Sequence, residues 1–316
     1  MRPPIAHNAL MYEVCGQSGR LAVITGANSG LGQEAARRLA GAGARVLLAV
    51  RSVTSGQRAR DTILTEFPQA SVEVRRLDLA SLASVKDFAE GLLADGTPVD
   101  LLLNNAGLMA VPSRMTTADG FELQFGTNFL GHFALTLQLL PRLLAAPAAR
   151  VVTMSSLWAR SGRMHFDDLQ AERWYQPMRV YSASKLADLM LARRLAEIAA
   201  ERGWPLASLA AHPGYTRTNL IAAGAALRQP GHRPMLLHVV FRIPHPVQHV
   251  RHGVEPLLYA ATSPDAVNGG YYGPKGPLEM AGPPARAYVP RRAREAGAAA
   301  RLWAQAEQLT GVTLPG

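Results

Sequence analysis

Thr25-Gly26-Ala27-Asn28-Ser29-Gly30-Leu31-Gly32 follows a short apolar run and opens a segment of helical periodicity. Glycine is needed where a backbone turns tightly and approaches a pyrophosphate closely, and the first turn of a helix offers unpaired N–H groups to phosphates. The spacing G-x-x-x-G-x-G would also suit a tight turn that only packs a helix on a strand. Because the motif lies between the first predicted strand and the first predicted helix, we expect it to bind the phosphates of a dinucleotide. The residues expected to line this cradle are Gly26, Asn28, Ser29, Gly30, Leu31 and Gly32.

Outward from this turn, short apolar runs alternate with longer amphipathic segments. The runs predicted as buried strands are residues 21–25, 45–50, 72–77, 99–103, 151–154 and 206–211. The segments predicted as helices are residues 30–42, 54–67, 82–93, 121–144 and 178–202. Near-continuous apolar strands that alternate with helices are typical of parallel sheets covered on both faces. We therefore predict an α/β fold with a Rossmann-type, doubly wound parallel sheet of about seven strands, flanked by helices.

Two stretches interrupt this alternation. Residues 221–247 are apolar and broken by Pro and Gly, which indicates a lid inserted over a substrate site. The tail after Gly269 is rich in Gly and Pro and precedes a last predicted helix near residues 298–309, which indicates a C-terminal wrap. No repeat or low-complexity linker divides the chain. We expect one domain over residues 18–312, after an N-terminal extension of residues 1–17.

The composition of the 316-residue chain narrows the class of protein. Cys15 is the only cysteine, so neither a disulfide framework nor a thiolate metal cluster is expected. No apolar run approaches the roughly 20 residues that span a bilayer, and residues 1–20 lack the pattern of a signal peptide. We therefore expect no transmembrane segment and a cytoplasmic location. The formal net charge is +10, but the basic residues are scattered and mostly arginine, so no nucleic-acid partner is expected.

The residues after the second and third predicted strands bear on the choice of cofactor. An acidic side chain after the second strand would bond a ribose 2′-hydroxyl and repel a 2′-phosphate, but this chain has Arg51. A guanidinium can pair with the 2′-phosphate of NADP, although a solvated arginine would also fit an arginine-rich chain. NADP(H) is therefore favoured, with NAD(H) as the alternative. Asp78, which precedes Leu79, either bonds the adenine amino group or caps the next helix.

Tyr181 and Lys185 lie four residues apart at the start of a strongly periodic segment. This spacing places the phenol and the ammonium on one helix face, one turn apart. A tyrosine with an ordinary pKa of about 10 is a poor base at neutral pH. A nearby cation favours the phenolate and lowers that pKa, so the pair is a candidate acid/base for proton transfer.

Two serines end the predicted fifth strand, at the sheet edge where ligands bind. A serine there can hydrogen-bond a substrate carbonyl oxygen and polarise it for attack. Serines in such places also cap or turn the chain. Of Ser155 and Ser156, we expect Ser156 to serve the substrate.

Together these motifs resemble those of the short-chain dehydrogenase/reductase family. The match comprises T-G-x-x-x-G-x-G at residues 25–32, Asn104-Asn105-Ala106-Gly107, Asn128, Ser156, Tyr181 with Lys185, and Pro213-Gly214. It covers about residues 18–312. Within the family, the stretches 128–133, 181–187, 212–214 and 301–311 resemble the retinol-dehydrogenase-like branch, which includes many bacterial oxidoreductases.

The resemblance implies a role for each matched residue. Tyr181 would be general acid in reduction and base in oxidation, and Lys185 would lower its pKa and bind the nicotinamide ribose. Ser156 would hold the substrate oxygen, and Asn128 would kink its helix and keep a water in a proton relay. The residues implied to line the cofactor are Asn105, Ala106 and Gly107 on the adenine-ribose side, and Pro213, Gly214 and Thr218 around the nicotinamide. No metal is required, and the histidines at 212, 232, 238, 245, 249 and 252 are expected at surface or lid positions.

The resemblance predicts an NADP(H)-dependent oxidoreductase that interconverts a carbonyl and an alcohol on an apolar, fairly bulky substrate. One alternative is a non-catalytic dinucleotide sensor, which would gain nothing from keeping Ser156, Tyr181 and Lys185. Another is a sugar-nucleotide epimerase or dehydratase, whose first turn is usually G-x-x-G-x-x-G. Family members commonly form homodimers or homotetramers through the helices predicted at residues 121–144 and 178–202, and a monomer stays open in this branch.

Overall fold

The computed structural model describes residues 11–216 and 247–315, and within them eight strands form one sheet. In chain order the strands are β1 (Leu21–Thr25), β2 (Arg45–Val50), β3 (Val72–Arg76), β4 (Leu101–Asn104), β5 (Ala149–Met154), β6 (Leu206–Ala211), β7 (Tyr271–Pro274) and β8 (Pro284–Arg286). Their spatial order is β3-β2-β1-β4-β5-β6-β7-β8. All neighbours pair in parallel except β8, which is antiparallel to β7. The strand order reverses between β1 and β4, so a ligand crevice is expected at their carboxyl ends.

Helices cover both faces of the sheet. They are α1 (Gly30–Gly41), α2 (Val53–Glu66), α3 (Leu82–Asp95), α4 (Leu123–Phe125), α5 (Gly131–Gln138), α6 (Leu140–Leu144), α7 (Pro177–Glu201), α8 (Val250–Gly253), α9 (Glu255–Thr262) and α10 (Ala296–Thr310). Apolar residues of α3, α5, α7 and α10 form the core on one face, and those of α1, α2 and α9 form the core on the other.

The central strands are apolar throughout because both of their faces are covered. In β4, Leu102 packs into the first core, whereas Leu101 and Leu103 pack into the second. All four residues of β4 are buried. The edge strand β3 is only half-buried, and its Glu73 pairs with Arg45 at 2.7 Å. Charged residues of this kind protect an exposed strand edge from pairing with other chains.

The prediction of a doubly wound α/β sheet is confirmed, with seven parallel strands and a short antiparallel eighth. The predicted helix 121–144 is interrupted at two places. A π-helical turn (Gly126–Leu130) separates α4 from α5, and α6 restarts with a proline in its first turn. Pro141 cannot donate the backbone hydrogen bond that a continuous helix would require.

The tail after Gly269 was predicted only to wrap around the domain. In the structure it also adds two strands, β7 and β8, to the sheet. Gly273 of β7 faces His212 so closely that a Cβ would collide with the imidazole, so the strand can join the sheet only with glycine at this position. Beyond β8, Trp303 of α10 packs edge-on against Phe133 with ring centroids 5.1 Å apart.

The described part of the predicted N-terminal extension packs on the domain. The Tyr12 ring lies 5.4 Å from that of Tyr259, and its hydroxyl is 2.9 Å from the Thr262 hydroxyl. The first ten residues, Thr218 and nearly all of the predicted lid at 221–247 lie outside the described residues.

Candidate active site

The glycine turn after β1 is built from backbone. Gly26 and Gly30 have φ values of 65° and 56°, in the left-handed region that favours glycine. A Cβ on Gly32 would lie 2.5 Å from Asn105 Nδ2 and 2.6 Å from the Gly26 carbonyl oxygen, so no side chain fits. Ser29 is the extended N-cap of α1 and its side chain makes no capping hydrogen bond. The turn and the unpaired N–H groups of α1 therefore fit the pyrophosphate of a dinucleotide.

Thr25 connects this turn to the end of β4. Its hydroxyl oxygen accepts hydrogen bonds from the backbone N–H groups of Asn105 and Ala106, both at 2.9 Å. The Asn105 side-chain amide donates to the Thr25 carbonyl at 2.9 Å. These contacts hold the predicted adenine-ribose residues against the glycine turn, although sequence reasoning assigned no role to Thr25 itself.

The carboxyl ends of β2 and β3 place two arginines together. Arg51 follows β2 directly, is exposed and makes no ion pair with any described residue. Arg76, also exposed, is the register partner of Val50 and thus neighbours Arg51 across the strands. Sequence reasoning missed Arg76, because its position beside Arg51 follows only from strand register. The Arg51 guanidinium, which has no ion-pair partner among the described residues, suits a phosphate in this place.

Asp78 does not cap the following helix, because Ser81 does. The Ser81 side chain accepts from the Ser84 N–H at the start of α3. The Asp78 carboxylate instead accepts from the Ala80 N–H at 3.0 Å, within its own turn. Leu79 is buried, and its carbonyl oxygen lies against Gly131, where a Cβ would collide. Asp78 and Leu79 therefore line the space between the end of β3 and α5.

Tyr181 and Lys185 lie one turn apart on α7, and both are buried. The Lys185 ammonium donates to the Met154 carbonyl at 2.9 Å and to Asp188 Oδ2 at 2.8 Å. A Cβ on Gly107 would lie 3.6 Å from the ammonium nitrogen, which places Lys185 beside the loop after β4. Asp188 was missed at the sequence level, although its i, i+3 spacing from Lys185 was a readable signal.

Burial is the largest influence on the Tyr181 phenol and raises its pKa above the usual value of 10.0. The Lys185 cation and the Ser156 hydroxyl lower this pKa, while the Asp188 carboxylate raises it. The phenol lies among apolar side chains, with Met109, Ala110, Trp158 and Met178 packed around it. In the protein alone, the phenol is therefore held in its protonated form at neutral pH.

The two serines after β5 have different tasks. The Ser155 hydroxyl is buried and donates to the Lys185 carbonyl at 2.8 Å, so it anchors α7. Ser156 is partly exposed, and its hydroxyl accepts from the Trp158 N–H at 3.3 Å and interacts with the Tyr181 phenol. Of the two serines, Ser156 is therefore the one whose hydroxyl lies beside the Tyr181 phenol.

Asn128 lies in the π-helical turn, a distortion frequently found at functional sites. Its side-chain oxygen accepts from the Leu108 N–H at 2.7 Å, and its amide donates to the Leu108 carbonyl and the Ser184 hydroxyl. Its backbone carbonyl lies 2.7 Å from His132 Nδ1. The side chain of Asn128 therefore ties its turn to the loop after β4 and to α7.

His132 joins the two halves of the site. Its Nδ1 faces the Asn128 carbonyl and must carry the proton, which leaves Nε2 to accept from the Thr25 hydroxyl at 2.9 Å. Burial lowers the pKa of His132 to about 3, so the ring is neutral. The residue lies within a quoted family stretch, but its role depends on contacts that local sequence does not specify.

The Pro213-Gly214 turn after β6 is held by the tail. Gly214 has a φ of 63°, and the following N–H, of Tyr215, donates to the Met280 carbonyl at 2.7 Å. His212 Nε2 lies 2.8 Å from Glu279 Oε2, and the same oxygen accepts from Arg160 at 2.6 Å. His212 is fully buried, so the expectation of a surface or lid position is wrong for it. Sequence reasoning missed Glu279, which is distant in the chain.

Residues 11–216 and 247–315 contain neither a metal-binding cluster nor a membrane-spanning helix. No group of three or more His, Cys, Asp or Glu side chains is arranged to hold a metal ion there. In the same ranges, every helix is too short or too polar to cross a membrane.

Comparison with known proteins gives concordant results. The family model for short chain dehydrogenase matches residues 20–226. Human retinol dehydrogenase 12 is 38% identical over 297 residues, which cover 93% of this chain and 87% of that protein. Mouse polyprenol dehydrogenase is 39% identical over 302 residues, covering 93% and 85% of the two chains.

Solved structures show the same fold. An uncharacterized protein from Mycobacterium paratuberculosis superposes with a TM-score of 0.78 at 42% identity, covering 96% of this chain and 98% of that one. A short chain dehydrogenase from Escherichia coli CFT073, complexed with NADPH, has a TM-score of 0.61 at 25% identity, covering 81% and 96% of the two chains. With its doubly wound sheet, glycine turn and retinol-dehydrogenase-like sequence, the chain belongs to the short-chain dehydrogenase family of oxidoreductases.

Proposed function

We propose that the chain is an NADP(H)-dependent oxidoreductase that interconverts a carbonyl and an alcohol on an apolar, fairly bulky substrate. The observation that carries the proposal is the arrangement of Tyr181, Lys185 and Ser156. Their polar groups interact at the carboxyl edge of the sheet, next to a turn that fits a dinucleotide. A protein that only sensed the nucleotide would have no use for this set.

Each residue of the set has a separate task in the proposed reaction. A bound nicotinamide supplies the hydride in reduction and accepts it in oxidation. Ser156 donates a hydrogen bond to the substrate oxygen and polarises the carbonyl. Tyr181 gives its phenolic proton to that oxygen in reduction and removes it in oxidation. Lys185 has one N–H beyond those bonded to Met154 and Asp188, and this N–H is available to a ribose hydroxyl.

The proton that leaves Tyr181 must be replaced before the next turnover. We propose that a water held by the Asn128 backbone carbonyl supplies this proton. The amide of Asn128 is bonded to Leu108 and Ser184 and cannot rotate without losing those contacts. Asn128 therefore fixes the start of the relay.

Arg51 and Arg76 support the choice of NADP(H). Both are exposed at the ends of adjacent strands, without an acidic partner among the described residues. The short chain dehydrogenase from Escherichia coli CFT073 was crystallised with NADPH. Around the nicotinamide we keep Pro213, Gly214 and Thr218 as proposed contacts, the last on sequence grounds.

The apolar surroundings of the Tyr181 phenol support an apolar substrate. The relatives are named for retinol and polyprenol, which are both bulky apolar alcohols. We propose that residues 18–312 form one catalytic domain, with residues 221–247 as its substrate lid. A cytoplasmic location stays a prediction.

A monomer is the oligomeric state we favour. Outer-surface residues of the helices that were expected to pair, including Phe133 and Leu191, are covered by Leu302 and Trp303 of α10. Light scattering should return the mass of one chain. A stable dimer would show that another surface pairs, or that α10 moves away.

The function is tested by titrating the purified protein with NADPH and with NADH, followed by a screen of apolar aldehydes and ketones. NADPH should bind more tightly, and Arg51→Asp should weaken NADPH binding by about tenfold to hundredfold, because a charge-assisted phosphate contact is lost. Arg173→Asp, at an exposed position, is the matched charge control. An unchanged NADPH/NADH ratio in Arg51→Asp would remove Arg51 as the selector. Absence of binding by either nucleotide would end the proposal.

A further inference from the structure

The ion pair between Lys185 and Asp188 is almost completely shielded from water. The two side chains are 4% and 1% exposed, and Lys185 Nζ lies 2.8 Å from Asp188 Oδ2. The other carboxylate oxygen, Oδ1, is buried and has no hydrogen-bond partner among the described residues. A buried carboxylate with one oxygen unsatisfied is costly.

The stability of the fold does not explain why position 188 carries a carboxylate. Buried ion pairs often contribute no net stability relative to apolar residues of similar size. An uncharged amide would also hold the lysine, since its oxygen accepts the same hydrogen bond. What Asp188 has and an amide lacks is a negative charge inside the site. Burial raises the pKa of this carboxyl to about 6 and the Lys185 cation lowers it, so the charge is present at neutral pH.

The position of that charge relates it to Tyr181. Residues 181, 185 and 188 have the i, i+4, i+7 spacing of one helix face. The Lys185 cation lowers the pKa of the Tyr181 phenol, and the Asp188 anion raises it. The two charges therefore act on the phenol in opposite directions, and the carboxylate offsets part of the effect of the lysine.

The other titratable groups near the phenol add no net charge beside it at neutral pH. His132 from α5 is neutral because burial lowers its pKa to about 3. Tyr271 from β7 is neutral because burial raises its pKa. Glu279 and Arg160, from the tail and the turn after β5, act on Tyr271 and pair with each other at 2.6 Å. Among the described residues, Lys185 and Asp188 are thus the charges that act on Tyr181.

We propose that Asp188 is a positioning residue that holds Lys185 and, by its charge, keeps Tyr181 in the proton-donating form at neutral pH. This inference rests on the proposed function. Reduction adds a hydride from the reduced nicotinamide to the carbonyl carbon and the Tyr181 proton to its oxygen, whereas oxidation needs the phenolate. Asp188 therefore sets the pH above which the phenolate needed for oxidation becomes available, without changing the equilibrium constant of the reaction.

The test is Asp188→Asn, which keeps the shape and one oxygen acceptor but removes the charge. Ionisation of Tyr181 is followed by the ultraviolet difference absorbance of tyrosinate in the cofactor-free protein, with Tyr181→Phe subtracted. Its midpoint should fall by about one pH unit in Asp188→Asn, because an anion near the phenol is lost. The pH profile of alcohol oxidation should shift to lower pH by the same amount, because oxidation needs the phenolate.

Asp87→Asn is the matched control, since it removes the same charge at an exposed position of α3. It should leave both the absorbance titration and the pH profile of oxidation unchanged. If Asp188→Asn does not fold, Asp188→Ser, which also removes the charge, takes its place, and its tyrosinate midpoint should fall below that of the wild type in the same way. A wild-type midpoint near neutrality would overturn the proposal.

Two results distinguish a wrong role for Asp188 from a wrong proposed function. If Asp188→Asn turns over substrate but its tyrosinate midpoint and pH profile match those of the wild type, Asp188 has only a structural role and the function stands. If Tyr181→Phe keeps wild-type turnover, the acid/base assignment is wrong whatever Asp188 does.

Discussion

The glycine turn after β1 and the proton-transfer cluster on α7 lie at the same edge of the sheet, but different forces hold them. The turn is made of backbone, with Gly32 packed against Gly26 and Asn105. The cluster is made of buried polar side chains, with Lys185 bonded to Met154 and Asp188. The first depends on space and chain conformation, whereas the second depends on charge and therefore on pH.

The difference has a functional reason. A nucleotide phosphate needs fixed N–H donors, and a backbone turn supplies them without titratable groups. Proton transfer needs a group whose pKa can be adjusted, and burial with neighbouring charges supplies that. Three predictions, in order of expected effect, test whether the two regions differ in this way.

Acidification should destabilise the contact that joins the regions. The folded pKa of His132, about 3, lies below its unfolded value of about 6.5, so the unfolded state binds the proton first. Stability is therefore present above about pH 6.5 and is lost as the pH falls towards 3, by roughly 4–5 kcal/mol in full. Urea unfolding at several pH values measures this slope. His132→Asn should reduce this pH dependence of the free energy of unfolding, whereas His252→Asn, at a site with a largely exposed side chain, should not. An equal slope in both variants would remove His132 as its source.

Filling the turn should damage cofactor binding without altering the pH dependence of the cluster. In Gly32→Ala the new Cβ meets Asn105 Nδ2 at 2.5 Å and the Gly26 oxygen at 2.6 Å. We expect a loss of about 1–3 kcal/mol of stability and at least about tenfold in NADPH affinity. Gly297→Ala, where a Cβ meets nothing within 4 Å, should be stabilised by about 0.5–1 kcal/mol. Normal NADPH binding by Gly32→Ala would show that the turn is not the phosphate site.

Weakening the contacts of Glu279, which hold the Pro213-Gly214 turn, should have a smaller effect. Glu279 accepts from Arg160 and the Tyr288 N–H and pairs with His212, but its side chain is 19% exposed and partly screened. Glu279→Gln should cost about 1 kcal/mol in thermal unfolding. Glu172→Gln, 71% exposed beside Arg114, should cost less than about 0.5 kcal/mol. Equal melting temperatures for the two variants would mean that the Glu279 contacts do not stabilise the protein.

Local sequence predicted the backbone region well and the side-chain region only partly. The apolar runs of β1 and β4 and the glycine spacing at residues 25–32 carry their own conformational preferences, so the sheet and the turn were predictable. Tyr181 and Lys185 were readable because they share one helix.

The parts of the fold and the site that could not be predicted depend on contacts between segments that are distant in the chain. Glu279 reaches His212 across 67 residues, and Arg76 neighbours Arg51 only through strand register. β7 and β8 were hidden in a Gly- and Pro-rich tail, because short strands at a sheet edge are stabilised by their partners rather than by propensity.

The proton-transfer role of Tyr181 is tested most directly by one variant, Tyr181→Phe, assayed for both NADPH binding and carbonyl reduction. We expect the reduction rate to fall by about 10²–10⁴-fold, the contribution of a positioned acid, while NADPH affinity is nearly unchanged. Tyr288→Phe, which changes an exposed phenol, is the control and should keep both. Wild-type reduction by Tyr181→Phe would contradict the proton-transfer role, and a parallel loss of NADPH binding would contradict the separation of the two regions.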